Sequence, residues 1–332
     1  MFLLFPFLFL PVVSAAFDGS HLFPIPVLDA YTTAPDSVAI GASGASRLPL
    51  ADASLHISQH TWGKPKVETA PDGTSAYKAF YAKGSYSTSK KPGITGFGFN
   101  FASPIDLTQA DQILFSYAVY FPQDFDFVWG GKLPGPYGGT TEEEAKGCAG
   151  GRQVARDQCF SLRLIENGAG EIYAYLPNDP ANDGLLLLNG SETDPTIYGL
   201  SIARGAFHFA AGDWTVVAQR VKLNTIGQAD GELELWANGQ SVIHATSVVL
   251  RTAPEARVRG IEADTFFGGS NSSWASPKDQ VSYIAAFSGA TLAAGSSPAE
   301  GKAAYPVPVA SSAIKIGYTA IIIFATFMFW ML

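Results

Sequence analysis

The sequence predicts an all-β fold, an antiparallel sandwich, and three observations carry that reading. From Tyr77 onward, short runs rich in β-branched and aromatic residues alternate with Gly, Asn and Asp turns. Asn238-Gly239 directly follows the alternating run ELELWA and signals a two-residue hairpin, because a type I′ turn needs positive φ at both central positions. Of the 332 residues 47% are hydrophobic and only 15% charged. That falls short of the roughly 25% charge of ordinary soluble domains and suits half-buried strands together with apolar ends.

In chain order, Met1 to Val13 (MFLLFPFLFLPVV) is an apolar stretch of signal-peptide length, followed by the small residues Ser14-Ala15-Ala16, so residues 1–16 read as a cleavable leader. No Lys or Arg precedes the run, which departs from the usual leader pattern. Residues 17–288 read as the sandwich domain. Its first part, to about residue 70, carries Pro24, Pro26, Pro35 and Pro49 and reads as an irregular lead-in with a few strands. The clearest strands follow at 112–121, 161–165, 171–176, 214–223, 232–237 and 281–287. Residues 289–312 are small, polar and Pro-containing, a stalk. Residues 313–332 form a hydrophobic tail, uncharged from Ile316 onward. With small residues at Gly295-Ser296-Ser297 and around Gly301 to Ala304, this is the layout of a glycosylphosphatidylinositol signal, the alternative being a retained membrane span.

A secretory route leads to the expectation that Cys148 and Cys159 are joined in a disulfide and that the sequons at Asn189 and Asn271 are glycosylated. The chain is then an extracellular or cell-surface glycoprotein that meets the membrane through its C-terminal anchor. A formal charge of −8 without a long basic run excludes a general nucleic-acid binder. An anionic ligand must therefore meet a local basic site.

The stretch SLRLIENGAGEIYAYL, Ser161 to Leu176, alternates on both sides of Asn167-Gly168 and reads as a hairpin. Period 2 puts Leu162, Leu164, Ile172, Ala174 and Leu176 on one face. Ser161, Arg163, Tyr173 and Tyr175 fall on the other and form a compact square if 163 pairs with 173 and 161 with 175. An ordinary solvated sheet face is the competing reading. Upstream, a strand leads through an aromatic turn into a Gly/Pro loop carrying Lys132, where five glycines bring the backbone close to a surface. Lys132 is followed by Leu133 rather than Ser or Thr, which argues against a phosphate loop and leaves a sheet-edge lysine pointing to water as the bland alternative.

GGKLPGPYGG (130–139), Ser161-x-Arg163, Tyr173-x-Tyr175, GDWT (212–215), DGELELWANG (230–239), and FFGG (266–269) followed by WASPKDQ (274–280) together resemble polysaccharide lyase family 14, and the resemblance spans roughly residues 97–287. That family, with the similar family 20, contains alginate and glucuronan lyases. The resemblance implies a β-sandwich of jelly-roll type with an open substrate cleft, cleavage of an anionic polysaccharide by β-elimination, and Lys132, Ser161, Arg163, Tyr173 and Tyr175 as the catalytic set. Tyr137, Arg204 and His208 lie in family-like segments and are candidates for touching the polymer. No cofactor is implied. Relatives of this type can carry a structural Ca²⁺, for which no run of spaced Asp residues is present. The long stretch between Lys132 and Ser161, with the acidic run Glu142 to Glu144 and the two cysteines, departs from the pattern and could reshape or cover one end of the cleft.

The chemistry accounts for these residue types. A uronate C5 proton is poorly acidic beside an ionised carboxylate, so that charge must be offset before a base removes the proton and the C4-linked oxygen leaves. Arg163 suits the carboxylate through its planar fork. Tyr173 and Tyr175 would act as base and acid if nearby cations acidify a phenol, and Lys132 is either a carboxylate ligand or, with a lowered pKa, the base. Ser161 would orient a neighbour or a sugar hydroxyl. Elsewhere, His56 and His60 lack a metalloprotease frame, and Glu232 with Glu234 read as a solvated or cleft-lining strand face rather than an acid/base pair. A lectin-like sandwich without turnover is the alternative to an enzyme.

Overall fold

In the computed structural model the described residues are 16–57, 59–87, 95–149, 151–166, 168–193 and 199–296. The leader to residue 15, Asn167, the stalk beyond residue 296 and the hydrophobic tail lie outside them. The lead-in contributes β1 (Asp29–Thr32), β2 (Ser46–Arg47), β3 (His60–Trp62) and β4 (Lys66–Thr69), followed by β5 (Ser75–Tyr81), β6 (Phe97–Phe101) and β7 (Gln112–Tyr120). The Gly/Pro loop forms β8 (Gly131–Leu133) and β9 (Gly135–Gly139), and the short helix α1 (Glu142–Lys146) follows. The hairpin is β10 (Cys159–Glu166) and β11 (Ala169–Tyr175), followed by β12 (Glu192–Thr193) and β13 (Leu200–His208). The chain closes with β14 (Trp214–Lys222), β15 (Gly231–Ala237), β16 (Gln240–Val248), β17 (Arg257–Phe267) and β18 (Gln280–Thr291).

These strands make two sheets of nine. One has the order β16-β15-β14-β7-β18-β1-β2, with β5 on β18 and β4 on β5; the other runs β12-β13-β11-β10-β8-β17-β6-β3, with β9 pairing β10 and β17. Apart from the parallel pair β1–β2, the strand pairs are antiparallel, and the non-sequential neighbours are those of a jelly-roll sandwich. The predicted hairpin turn is present: Asn238 and Gly239 have φ of 46° and 75°. Residues 289–291, assigned to the stalk from sequence, belong to β18, because Gly289, Ala290 and Thr291 pair with Tyr31, Ala30 and Asp29.

The inner faces meet in an aromatic core. Phe287 on β18 touches Tyr77, Phe99, Phe101, Phe115 and Tyr117, and Leu162, Leu164, Ile172 and Ala174 from the hairpin close the same core. A second cluster lies on the other side of the first sheet, where Phe17, Leu22, Phe23 and Ile25 of the lead-in join Leu114, Ala118, Trp214 and Val216. Strand β7 is consequently buried at every position, which is why its sequence QILFSYAVY shows no clean alternation. The outer face of the second sheet carries the candidate site, whose polar side chains are largely buried.

Candidate active site

Strands β10 and β11 pair Ser161 with Tyr175 and Arg163 with Tyr173, the register that the spacing predicts. The Gly/Pro loop adds Lys132 to the same face through β8, where Lys132 stands opposite Ile165 on one side and Phe266 on the other. Glycine is required along this path. A Cβ on Gly135 would come within 2.0 Å of the Leu162 carbonyl oxygen, so a side chain there would push β9 off the hairpin.

Lys132 does not point to water. It is 8% exposed, its Nζ lies 3.2 Å from the centroid of the Tyr173 ring, and that nitrogen has no hydrogen-bond partner. Burial, then the nearby Arg163 charge, holds its pKa well below the usual lysine range, against the opposing pull of Glu171, Glu262 and Asp264. The ring contact fits a neutral amine as well, since an N–H can be directed at a π face.

Arg163 has protein carboxylates as partners. Nη1 donates to Glu262 Oε1 and Asp264 Oδ2, both at 3.0 Å, while Ser161 Oγ donates to Glu262 Oε2 at 3.2 Å. The guanidinium is therefore already engaged by protein carboxylates through Nη1, and its buried Nε has no partner among the described residues. Burial, then the Glu262 charge, raises the Asp264 pKa well above the carboxylate range, so Asp264 tends to keep a proton. Glu262 and Asp264 were missed from sequence. Their signal is the i, i+2 acidic pair in RGIEADTFF, where charge alternates with Ile261 and Ala263 immediately before FFGG.

The expectation that cations acidify the tyrosines fails for Tyr173. Its pKa is raised, by burial and then by Tyr175, which together outweigh the lowering by Arg163. The Tyr173 hydroxyl accepts from Gly199 N at 3.0 Å and keeps its own proton to give. The Tyr175 ring packs edge-on against Tyr173 with centroids 5.5 Å apart, and the Arg156 guanidinium lies 4.7 Å from its centroid. Cys148 and Cys159 are disulfide-bonded with a Cα separation of 5.8 Å and pack on this same tyrosine.

The three expected polymer contacts are differently placed. Tyr137 is buried at 1% and donates to Glu142 Oε1 at 3.0 Å, so its hydroxyl is committed to α1, the start of the divergent insertion. Arg204 is bonded to Glu171 and Glu192. Glu171, fully buried beside Tyr173 on the same face, also accepts from Ser201 at 2.6 Å and keeps Oε1 unpartnered. His208 is exposed opposite Ala169, at the turn end of the hairpin. Lys132 Nζ, Arg163 Nε and Glu171 Oε1 are thus three buried polar atoms on one sheet face without hydrogen-bond partners among the described residues.

Other candidates lie elsewhere. Glu232 and Glu234 are on β15 of the first sheet, where Glu232 binds Arg220 at 2.9 Å and Lys222 at 2.7 Å; they neither face solvent freely nor line the cleft. His60 sits on β3 and contacts Asp52 at 3.0 Å. Among the described residues no group of three or more His, Cys, Asp or Glu side chains could hold a metal ion.

A β-sandwich with a buried amine packed on a phenol ring on one sheet face is the arrangement that comparison with known proteins places among polysaccharide lyases. Residues 69–287 match the family described as Polysaccharide lyase 14, and the chain belongs to that family. Among solved structures it is similar to the marine PL-14 alginate lyase from Aplysia kurodai, 34% identical with a TM-score of 0.63, over 71% of this chain and 92% of that one. It is also similar to alginate lyase vAL-1 from Chlorella virus, 28% identical with a TM-score of 0.59, over 72% and 94% of the two chains. Among curated proteins it resembles Exolysin of Paramecium bursaria Chlorella virus 1, 24% identical over 199 residues, which is 56% of this chain and 30% of that protein. The match therefore spans under a third of that relative's length.

Proposed function

We propose that the chain cleaves a 1,4-linked polyuronate, alginate-like or glucuronan-like, by β-elimination. The observation that carries the reading is the buried, unpartnered Lys132 amine against the Tyr173 ring. Neutral Lys132 takes the C5 proton, the electron pair forms the C4–C5 double bond, the C4–O bond breaks, and the Tyr173 phenol gives its proton to the departing oxygen. The resulting ammonium and phenolate return to their resting forms by proton exchange. Arg163 Nε stabilises charge on the uronate carboxylate as the C5 proton leaves, a hydrogen bond taking the place of a free cation. No cofactor enters these steps. The named alginate lyases support the substrate class because this chain is similar to them across most of their length.

The test is incubation of the purified protein with glucuronan, polymannuronate and polyguluronate while following the ultraviolet absorbance of the unsaturated product. Wild type forms it from at least one polymer, and folded Lys132→Arg forms almost none. Absence of product from all three with wild type overturns the reading.

We also propose that the protein is exported and held at the cell surface through its apolar C-terminal segment. The bonded cysteines and the exposed sequon residues Asn189 and Asn271 support export. Release from intact cells by phosphatidylinositol-specific phospholipase C tests the lipid-anchored form.

A further inference from the structure

We propose that Trp62, Phe266, Trp129 and Trp274 form an aromatic subsite that stacks on the sugar rings of one arm of the bound polymer. The proposal rests on the polyuronate reading and adds the means by which the chain is gripped beyond the cleaved residue.

Phe266 is directly opposite Lys132 across β8 and β17, on the side away from Tyr173. Trp62 meets Phe266 edge-on at 5.5 Å. Its indole lies against the backbone of Gly98, where a Cβ would come within 2.3 Å of the ring. Gly98 is the cross-strand partner of Asp264, so Trp62 covers the floor of the same face. A second aromatic pair stands at the end of these strands. Gly268 N donates to Gly130 O at 3.0 Å and ties the two loops together, and the rings of Trp129 and Trp274 stand 6.5 Å apart. Trp274 packs over the turn that follows Phe267, where a Cβ on Gly268 would meet its indole at 3.9 Å and one on Gly269 at 2.0 Å. Trp129 is 59% exposed, a large apolar area to leave in water unless a ligand covers it.

The electrostatics of this side call for such a surface. Between Lys132 and Trp62 the floor carries Glu262 and Asp264, whose one cationic partner, Arg163, is already engaged. A polyanion gains little from charge here. The C–H face of a pyranose ring stacks on an aromatic ring whatever the charge of its carboxylate. From Lys132 on β8 across β17 to Gly98 on β6 is two strand spacings, about 10 Å, the reach of a disaccharide.

The test compares Trp129→Ala and Trp62→Ala with wild type on a long polyuronate and on the shortest oligouronate that wild type cleaves, alongside Trp62→Phe, which keeps an aromatic ring if the alanine variant folds poorly. Circular dichroism confirms folding. Expected is a fall in kcat/KM on the polymer of roughly threefold to tenfold per tryptophan, through KM, with a smaller fall on the short substrate and partial recovery in Trp62→Phe. Equal losses on long and short substrates, or an unaltered KM on the polymer, overturn the subsite while leaving the lyase reading in place. Should wild type cleave none of the polymers, the lyase reading fails by itself. The subsite is then judged by quenching of tryptophan fluorescence on titration with the same polymers, which Trp129→Ala must weaken and which, if unweakened, overturns it.

Discussion

Arg163 Nη1 and Asp264 Oδ2 lie 3.0 Å apart on the outer face of the second sheet, with Glu262 at the same distance from the same nitrogen. The cation is therefore matched before a substrate arrives, and its first task is to allow two carboxyl groups to stand side by side away from water. Replacing Arg163 by Ala leaves them buried without a counter-charge, which costs about 3–5 kcal/mol.

The pH dependence of that loss has a definite sign. The Asp264 pKa already stands well above its ordinary 3.8 in the folded state, through burial and then Glu262, and losing Arg163 raises it further. The folded protein then holds this proton more tightly than the unfolded chain does. Stability is retained below the ordinary pKa and lost as pH rises toward the folded value. Urea unfolding of Arg163→Ala should show a deficit against wild type that is smallest near pH 4 and larger at pH 8, and turnover should fall about 100-fold or more. A deficit independent of pH would mean that the two carboxyls are not coupled to the arginine.

Lys132 carries the opposite kind of shift. Burial and Arg163 lower its pKa, so the folded state binds that proton less readily than the unfolded chain. The titration penalty is absent above its ordinary pKa, and stability falls as pH drops from there to the folded value. Lys132→Met should abolish product formation while raising stability at neutral pH by roughly 1–2 kcal/mol, since a buried donor without a partner is replaced by an apolar chain. Thermal unfolding at pH 7 and pH 10 checks this, with the gain expected to shrink at the higher pH.

The hairpin was legible in the sequence because its two faces alternate about Asn167-Gly168: period 2 assigns the faces, and taking 163 opposite 173 across the turn gives the observed pairing of Arg163 with Tyr173 and Ser161 with Tyr175. The Asn238-Gly239 turn was legible for a local reason as well. What surrounds Arg163 was not, because Glu262 and Asp264 come from a strand about 100 residues away and reach the guanidinium through β8 and β9. That neighbourhood shapes the electrostatics, so the arginine expected to meet the substrate also binds two protein carboxylates, and Tyr173, expected to be acidified, is shifted upward. The burial of β7 on both faces was hidden for a similar reason, since the lead-in residues Phe17, Leu22 and Phe23 that cover it carry no periodicity of their own.

Tyr173→Phe tests the acid. The hydroxyl of Tyr173 is the group positioned to give a proton, and removing a general acid commonly costs about 100-fold to 10,000-fold in rate. The ring stays beneath Lys132, so KM should change far less than kcat. Gly199 N loses its acceptor, for a stability cost of about 1 kcal/mol. A substrate bearing a good leaving group at C4, which needs no proton, should recover most of the lost rate in Tyr173→Phe. Failure to recover would move the acid role to Tyr175.

The disulfide gives the last prediction. Cys148 and Cys159 close an 11-residue separation, which stabilises by roughly 2–3 kcal/mol. Their sulfurs also pack on Tyr175, whose ring faces the Arg156 guanidinium from the same loop. Arg156 in turn is held by Leu176 O at 2.9 Å and Arg152 O at 2.9 Å, so opening the bridge loosens the loop that walls one side of the tyrosine pair while the inter-sheet core is untouched. The Cys148→Ser/Cys159→Ser variant should therefore fold with a lowered melting temperature and lose about tenfold or more in kcat/KM, because small displacements of reacting groups are costly. Wild type treated with a thiol reductant should approach the same values, and the double variant should not respond to it. If reduction lowers the melting temperature of wild type without changing its kinetics, the bridge stabilises the insertion alone and Tyr175 is held in place by the sheet.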